Sequence, residues 1–188
     1  MTTNKIVLGI IGEIAAGKTT ATDYLIKKYD AKSVRFSNSL ADGLDRFYIE
    51  KNRHNYQTLS RIMRENFGQD IISKTVARDI ESFNTKIVIT EGVRRPSDIT
   101  FLTKTYPDNF FTINIETTPE NRFKRLANRE EKPDDTTKTW EEFQKDGNAE
   151  AELAIKKIAK TANYTIDNNG TLEELYNQIE KILKEIKS

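Results

Sequence analysis

The chain has 188 residues, 36% hydrophobic and 31% charged, enough for one ordinary domain with a sizeable core beneath a highly charged surface. Its 30 basic and 29 acidic side chains leave a net charge of +1, which argues against a protein that coats nucleic acid. There is no cysteine and a single histidine, His54, which excludes disulfides, thiolate metal sites, cysteine nucleophiles and multi-histidine metal centres.

Residues 5–11, "KIVLGII", read as a short buried strand that runs into a glycine loop. The apolar run is too short for a signal peptide, and no stretch approaches the length of a membrane span, so a cytoplasmic chain without a membrane partner is expected. From Gly17 to Lys28 the pattern is helical, and "SVRFS" (33–37) reads as a second strand. Residues 38–83 read as two or three helical pieces. Tyr56, Leu59, Met63 and Phe67 form one apolar stripe there, and Gly68 separates that piece from the next. "KIVIT" (86–90) is a third strand ending in Glu91-Gly92, and Pro96 opens a helix to about Thr105. "FFTINIE" (110–116) is a fourth strand, after which Thr118-Pro119 supplies an N-cap and first helical residue. Residues 130–139 read as a polar loop, and a helix is expected from about Trp140 to Lys160 with a break at Gly147. "NYTID" (163–167) is a fifth strand and "NNG" a turn. The last helix begins near Thr171, with Leu172, Leu175, Tyr176, Ile179, Ile182, Leu183 and Ile186 on its apolar face. Alternating strands and helices predict an α/β fold: five parallel strands covered on both faces, with right-handed crossovers, in one domain.

Residues 12–19, Gly12-Glu13-Ile14-Ala15-Ala16-Gly17-Lys18-Thr19, match G-x-x-x-x-G-K-[ST] between a strand and a helix. The residue types suit a polyphosphate. The glycines let the backbone curl its N–H groups inward, and the helix N-terminus adds partial positive charge. Lys18 supplies a point charge to the β- and γ-phosphates, and Thr19 a hydroxyl to Mg²⁺. The expected triphosphate contacts are Gly12, Glu13, Ala15, Ala16, Gly17, Lys18, Thr19 and Thr20. No N-K-x-D guanine-reading segment accompanies them.

The layout resembles the P-loop nucleoside monophosphate kinase superfamily. Three stretches carry the likeness. "FSNSLADGLDRF" with "LSRIMRENFGQDII" resembles the segment after strand two of phage-type deoxynucleoside monophosphate kinases. "VITEGVRRPSDI" is similar to the strand end of that group and to the D-G-x-x-R of adenylate kinases. "ANYTIDNNGTLEEL" resembles the C-terminal segment of dephospho-CoA kinases. The chain departs from the last family after strands two and three, where "RFSNSLAD" and "EGVRRPSD" stand, and this favours a nucleotide acceptor. It has Ala16 where glycine is common and Glu91 where aspartate is common.

The resemblance implies a three-layer P-loop fold with a helical acceptor-binding insertion at 38–83 and a lid at about 122–140. It implies ATP and Mg²⁺ as cofactors and a small-molecule nucleotide as acceptor, without nucleic acid. Asn168, Asn169 and Gly170 would lie beside the adenine. Glu91, at a strand's C-terminal end, is the second metal candidate after Thr19. Arg94 and Arg95 are candidates for the acceptor phosphate: phage-type kinases point to Arg94 and adenylate kinases to Arg95. Arg122, Arg125 and Arg129 share one helix face, with Arg125 and Arg129 the better catalytic candidates and Glu120, Glu130 and Glu131 the alternative partners. Ser37 and Asp42 are acceptor-side candidates, with Asp45 beside them. Arg35 is expected to face solvent, as are Arg61 and Arg64, and His54 to be a surface or capping residue. Trp140, Tyr56 and Phe67 are expected in the core. Dephospho-CoA kinase is the alternative within the class. A nucleotide-binding switch without a small-molecule acceptor is the alternative outside it.

Overall fold

The computed structural model describes residues 5–127, 138–148 and 150–187. Five parallel strands form one sheet in the order β2-β3-β1-β4-β5, and helices complete a three-layer α/β fold. The strands are β1 (Ile6–Ile11), β2 (Lys32–Arg35), β3 (Ile87–Glu91), β4 (Phe110–Glu116) and β5 (Tyr164–Asp167). The helices are α1 (Lys18–Tyr29), α2 (Asn38–Arg46), α3 (Arg53–Phe67), α4 (Ile71–Ser82), α5 (Pro96–Thr105), α6 (Pro119–Ala127), α7 (Trp140–Gly147), α8 (Glu150–Ala159) and α9 (Leu172–Lys187). The second strand begins one residue earlier than expected and stops at Arg35, because Phe36 and Ser37 already turn into α2. Among the described residues no helix is long and apolar enough to cross a membrane. The chain divides into two compact units, one of residues up to Gly9 with Lys28–Phe111, the other of Ile10–Lys27 with residues from Thr112 onward.

In the first unit β2 pairs with β3 in a register that sets Arg35 opposite Glu91, and Phe36 N–H extends the ladder to the Glu91 carbonyl at 3.0 Å. Ile87, Val88, Ile89 and Thr90 are all buried, as a parallel strand covered on both faces requires. α4 buries Ile72, Val76, Ala77 and Ile80, a stripe at helical spacing, with each large side chain contributing about 1.5–3 kcal/mol of transfer free energy. Lys5 Nζ donates to the Ile80 and Glu81 carbonyls at 2.9 and 3.1 Å, satisfying acceptors that the end of α4 leaves open. α3 behaves differently from the expected apolar stripe. Tyr56, Leu59 and Met63 are half-buried, Phe67 is 62% exposed, and the helix's one buried residue is Arg64. Phe67 sits at the last position of α3, just before Gly68, where the helix stops. Spacing identifies a helix face, but what stands opposite it decides whether it is core.

Tyr106 closes this unit, its hydroxyl donating to the Ala77 carbonyl at 3.1 Å. Burial first, and the Glu81 charge second, push its pKa up to about 12 from 10.0. The unfolded chain therefore ionises this phenol first, and stability is lost as pH rises from 10 toward 12. The thermal midpoint should fall across that window, and the fall should be shallower in Tyr106→Phe. Identical slopes for the two proteins would reject the assignment.

In the second unit β4 pairs with β5 from Ile113↔Tyr164 to Glu116↔Asp167, and Asn168 N–H continues to the Glu116 carbonyl at 2.8 Å. α9 buries Leu175, Ile179, Ile182 and Leu183, while Leu172 of the expected face is exposed. Tyr24 of α1 stacks on Tyr176 of α9 at 4.0 Å and donates to Glu180 at 2.8 Å. The segment after the polar loop breaks into α7 and α8, with Gly147 ending the first. Thr139 and Glu142 form a capping box at the start of α7. Trp140 is half-buried in a cluster with Phe123 and Phe143, centroids 5.2 and 5.5 Å away.

Candidate phosphate-binding site

The loop between β1 and α1 is curled by residues in sparsely populated backbone conformations. Gly12, Ala15 and Gly17 have φ of 151°, 59° and 103°. For Ala15 this left-handed conformation costs of order 1 kcal/mol, so the surrounding structure must hold it. Ala16 N–H turns back to the Glu13 carbonyl at 3.2 Å. A Cβ on Gly12 would stand 2.7 Å from the Ile115 carbonyl oxygen, and one on Gly17 2.1 Å from Asn168 Nδ2. Both positions thus need glycine for space as well as for φ.

Lys18 opens α1 and folds over this loop, its ammonium donating to the Gly12 and Glu13 carbonyls at 2.8 and 2.7 Å. Thr19 is exposed at the same helix start and Thr20 is half-buried. The loop is braced from behind. Asn168 is buried, and its Nδ2 donates to the Ala16 carbonyl at 2.7 Å. Thr117 Oγ1 donates to the same carbonyl at 3.0 Å. Of the three residues expected beside the adenine, Asn168 is therefore committed by its side chain to the loop. Asn169 accepts from Thr118 N–H at 2.8 Å, and Gly170 is exposed.

Arg122 and Glu13 take a different arrangement from the one anticipated. Arg122 is buried and pairs with Glu13 of the loop at 3.1 Å, and the Lys156 ammonium lies 3.4 Å from the other Glu13 oxygen. Arg122 also donates to the Thr117 and Ile14 carbonyls and lies 5.2 Å from the Phe143 ring centroid. Its partner is thus the loop itself, while Glu130 and Glu131 of the expected alternatives lie outside the described residues. The Glu13 side chain is occupied by these cations, which leaves its backbone as the part that shapes the loop. The contacts with Glu13 and Ile14 join residues more than a hundred positions apart, and nothing local in the sequence signals them.

Arg125, one turn further along α6, is placed at the mouth of the loop. It donates to the Asn168 carbonyl at 2.8 Å and to Thr117 Oγ1 at 3.4 Å, and its Nη1 would lie 3.8 Å from a Cβ on Gly17. With Gly17, Thr20, Asn168, Gly170 and Leu172 it lines a cavity of about 280 Å³. A larger cavity of about 450 Å³ lies against Glu13, Ala16, Arg122 and α8. Arg129 and most of the loop expected to close over the site lie outside the described residues.

The first unit holds the remaining candidates. Glu91 is half-buried at the end of β3, with Arg35 Nε 3.4 Å from its carboxylate. Ser37, the N-cap of α2, and Asp42, in the middle of that helix, are both exposed. Burial, and secondarily the negative charge of Asp42, raise the pKa of Asp79. Asp45 pairs with Lys51 at 2.9 Å. Arg94 and Arg95 are exposed, and Arg95 donates to Gln69 Oε1 at 3.4 Å. Arg61 pairs with Glu65 on the surface, and His54 is exposed in the first turn of α3. Arg64, expected in solvent, is instead buried against Asp98 at 3.0 Å. Asp98 also accepts from Ser73 Oγ at 3.0 Å. Asp98 stands in the first turn of α5, where an acidic residue is common, so its position in the sequence does not mark it as a buried partner.

What the second unit can do chemically follows from this inventory. A curled run of N–H groups, a helix N-terminus, a lysine ammonium and an arginine fork surround one loop, and each favours anionic oxygens.

No protein-family model matches the chain. It is similar to a UPF0200 protein of Methanocaldococcus jannaschii, 28% identical over 183 residues, covering 96% of this chain and 90% of that one. It is also similar to a UPF0200 protein of Thermococcus kodakarensis, 26% identical over 141 residues, covering 73% and 75%. Among solved structures, shikimate kinase from Bacteroides thetaiotaomicron superposes with a TM-score of 0.62 at 14% identity, covering 97% of this chain and 99% of that one. Shikimate kinase from Aquifex aeolicus gives 0.55 at 16% identity, covering 95% and 96%. The fold is that of the P-loop kinases.

Proposed function

We propose that the chain is an ATP-dependent phosphotransferase that moves the γ-phosphoryl group to a nucleoside or deoxynucleoside monophosphate. One observation carries the reading. The loop of Gly12–Lys18 is held open in a strained curl by Asn168, Thr117 and Arg122, and its ammonium rests on the loop's own carbonyls at 2.8 and 2.7 Å. Such a loop is already shaped for a polyphosphate, whose oxygens would take over the lysine.

The residues present suit ATP and Mg²⁺. Gly12 and Gly17 have no room for a Cβ against the Ile115 carbonyl and Asn168, so the loop keeps bare backbone there, and the N–H groups of such a loop fit phosphate oxygens. Among the described residues no group of three acidic or histidine side chains gathers around a metal position. Mg²⁺ is commonly bound through substrate phosphates with one or two protein oxygens, and Thr19 and Glu91 are the candidates. Bound ATP and Mg²⁺ would supply the phosphoryl group and neutralise its charge. Lys18 would bind the β- and γ-phosphates, Arg125 would place a second positive charge at the loop's mouth, and Arg94 or Arg95 would bind the acceptor's phosphate. An anionic acceptor oxygen needs orientation more than proton removal.

A second reading is an acceptor hydroxyl needing a base, the acceptor class named by the shikimate kinases whose fold this chain shares, with Asp42 as the carboxylate on the acceptor side. Dephospho-CoA and shikimate-type polyols belong to this class. A nucleotide-binding switch is the reading outside the kinases. One coupled assay separates all three. ADP release from ATP and Mg²⁺ is followed with a panel of monophosphates, dephospho-CoA and shikimate. Monophosphate-dependent release is the expected outcome. Release with a hydroxyl acceptor alone would replace it with the second reading, and acceptor-independent hydrolysis with the switch.

A further inference from the structure

Four contacts in the first unit form a closed ring. Arg64 Nη2 donates to Asp98 Oδ1 at 3.0 Å, and Arg64 Nη1 donates to the Gln69 carbonyl. Asp98 N–H donates to the Arg95 carbonyl at 3.0 Å, and Arg95 Nη1 donates to Gln69 Oε1 at 3.4 Å. Arg95 is thus tethered twice, by its backbone at the N-cap of α5 and by its side chain at Gln69. Arg94 makes no hydrogen bond or ion pair among the described residues and is exposed.

We propose that Arg64 is a positioning residue for the acceptor's phosphate, acting through Gln69 and Asp98 to preset Arg95 rather than Arg94 as its ligand; this rests on the monophosphate-acceptor reading above. A buried ion pair is an inefficient way to join helices, because well-packed apolar residues often serve stability as well or better. Here it is costlier still, since Arg64 Nε is buried without a hydrogen-bond partner. What the guanidinium supplies is geometry. Its planar fork fixes a carboxylate on α5 and a carbonyl in the α3–α4 turn at once, and the same two residues hold the two ends of Arg95 through other atoms, the Asp98 N–H and Gln69 Oε1. Arg95 spends one N–H on a long hydrogen bond to an uncharged amide oxygen and keeps the rest of its fork for a phosphate.

The test uses the full chain and binding of adenylate, guanylate, cytidylate, uridylate and thymidylate by calorimetry, with ATP binding measured separately. Gln69→Ala removes the side-chain tether and leaves the backbone carbonyl that Arg64 uses. It should keep the wild-type thermal midpoint and ATP affinity while weakening monophosphate binding roughly tenfold. In turnover this should appear in the acceptor KM rather than in kcat. The double variant Arg64→Met with Asp98→Leu should fold with the wild-type midpoint or better, yet lose monophosphate affinity at least as far. Wild-type monophosphate affinity in either folded variant overturns the proposal. Should the double variant not fold, Gln69→Ala decides alone. A wild-type chain that binds ATP but none of the five monophosphates removes the acceptor reading, and the positioning role with it.

Discussion

Replacing Lys18 with alanine is expected to lower phosphotransfer by roughly 10²–10³-fold or more while leaving the fold intact. The ammonium donates to the Gly12 and Glu13 carbonyls at 2.8 and 2.7 Å, on the rim of the loop, so it stands where a β- or γ-phosphate oxygen would arrive. On the proposed reading its effect would grow as charge moves between the phosphates, a transition-state interaction that would place the loss mainly in kcat. The structural cost is small. Water can replace the ammonium at two carbonyls that are only part-buried, and a hydrogen bond of this kind contributes about 1 kcal/mol. The brace behind the loop, Asn168 to the Ala16 carbonyl and Arg122 to Glu13, does not involve the lysine side chain. Activity is read in the coupled assay and folding by circular dichroism and thermal midpoint. Wild-type turnover by a folded Lys18→Ala protein would remove the phosphate assignment of this loop.

Asp98→Ala should be the most destabilising single substitution outside the apolar core, at about 3–5 kcal/mol. Asp98 is almost wholly buried and accepts from both Arg64 and Ser73 at 3.0 Å. Its removal strands a buried guanidinium that already has one unpaired N–H. A stranded charge costs far more than the pair contributed, because desolvation is no longer offset by the partner. The measurement is the denaturant midpoint and slope, with Arg64→Met in the Asp98→Ala background as the control. Removing the stranded charge should restore most of the lost stability. A loss below about 1 kcal/mol in Asp98→Ala would mean that the pair is solvated and that the positioning ring does not exist as drawn.

The sequence by itself determined the strand–helix alternation, the glycine curl between β1 and α1 and the placement of Pro96 and Pro119 at helix starts. These depend on neighbours within a few residues. Curling at Gly12 and Gly17, an N-terminal proline and an apolar stripe on α4 or α9 are all short-range consequences of backbone and side-chain chemistry. Phe67 and Leu172 show where that reasoning stops, since each falls on an apolar stripe and each is exposed. Only the tertiary structure decided the partners of the charged residues. With 30 basic and 29 acidic side chains, charge alone cannot select one pair, and both the solvated and the buried reading of Arg64 or Arg122 fit the same local pattern. Arg64 meets Asp98 34 positions away, and Asn168 meets Ala16 152 positions away. Coulomb attraction and hydrogen bonding act through space, so such pairs exist only once the packing of helices and the strand order have brought distant segments within about 3 Å.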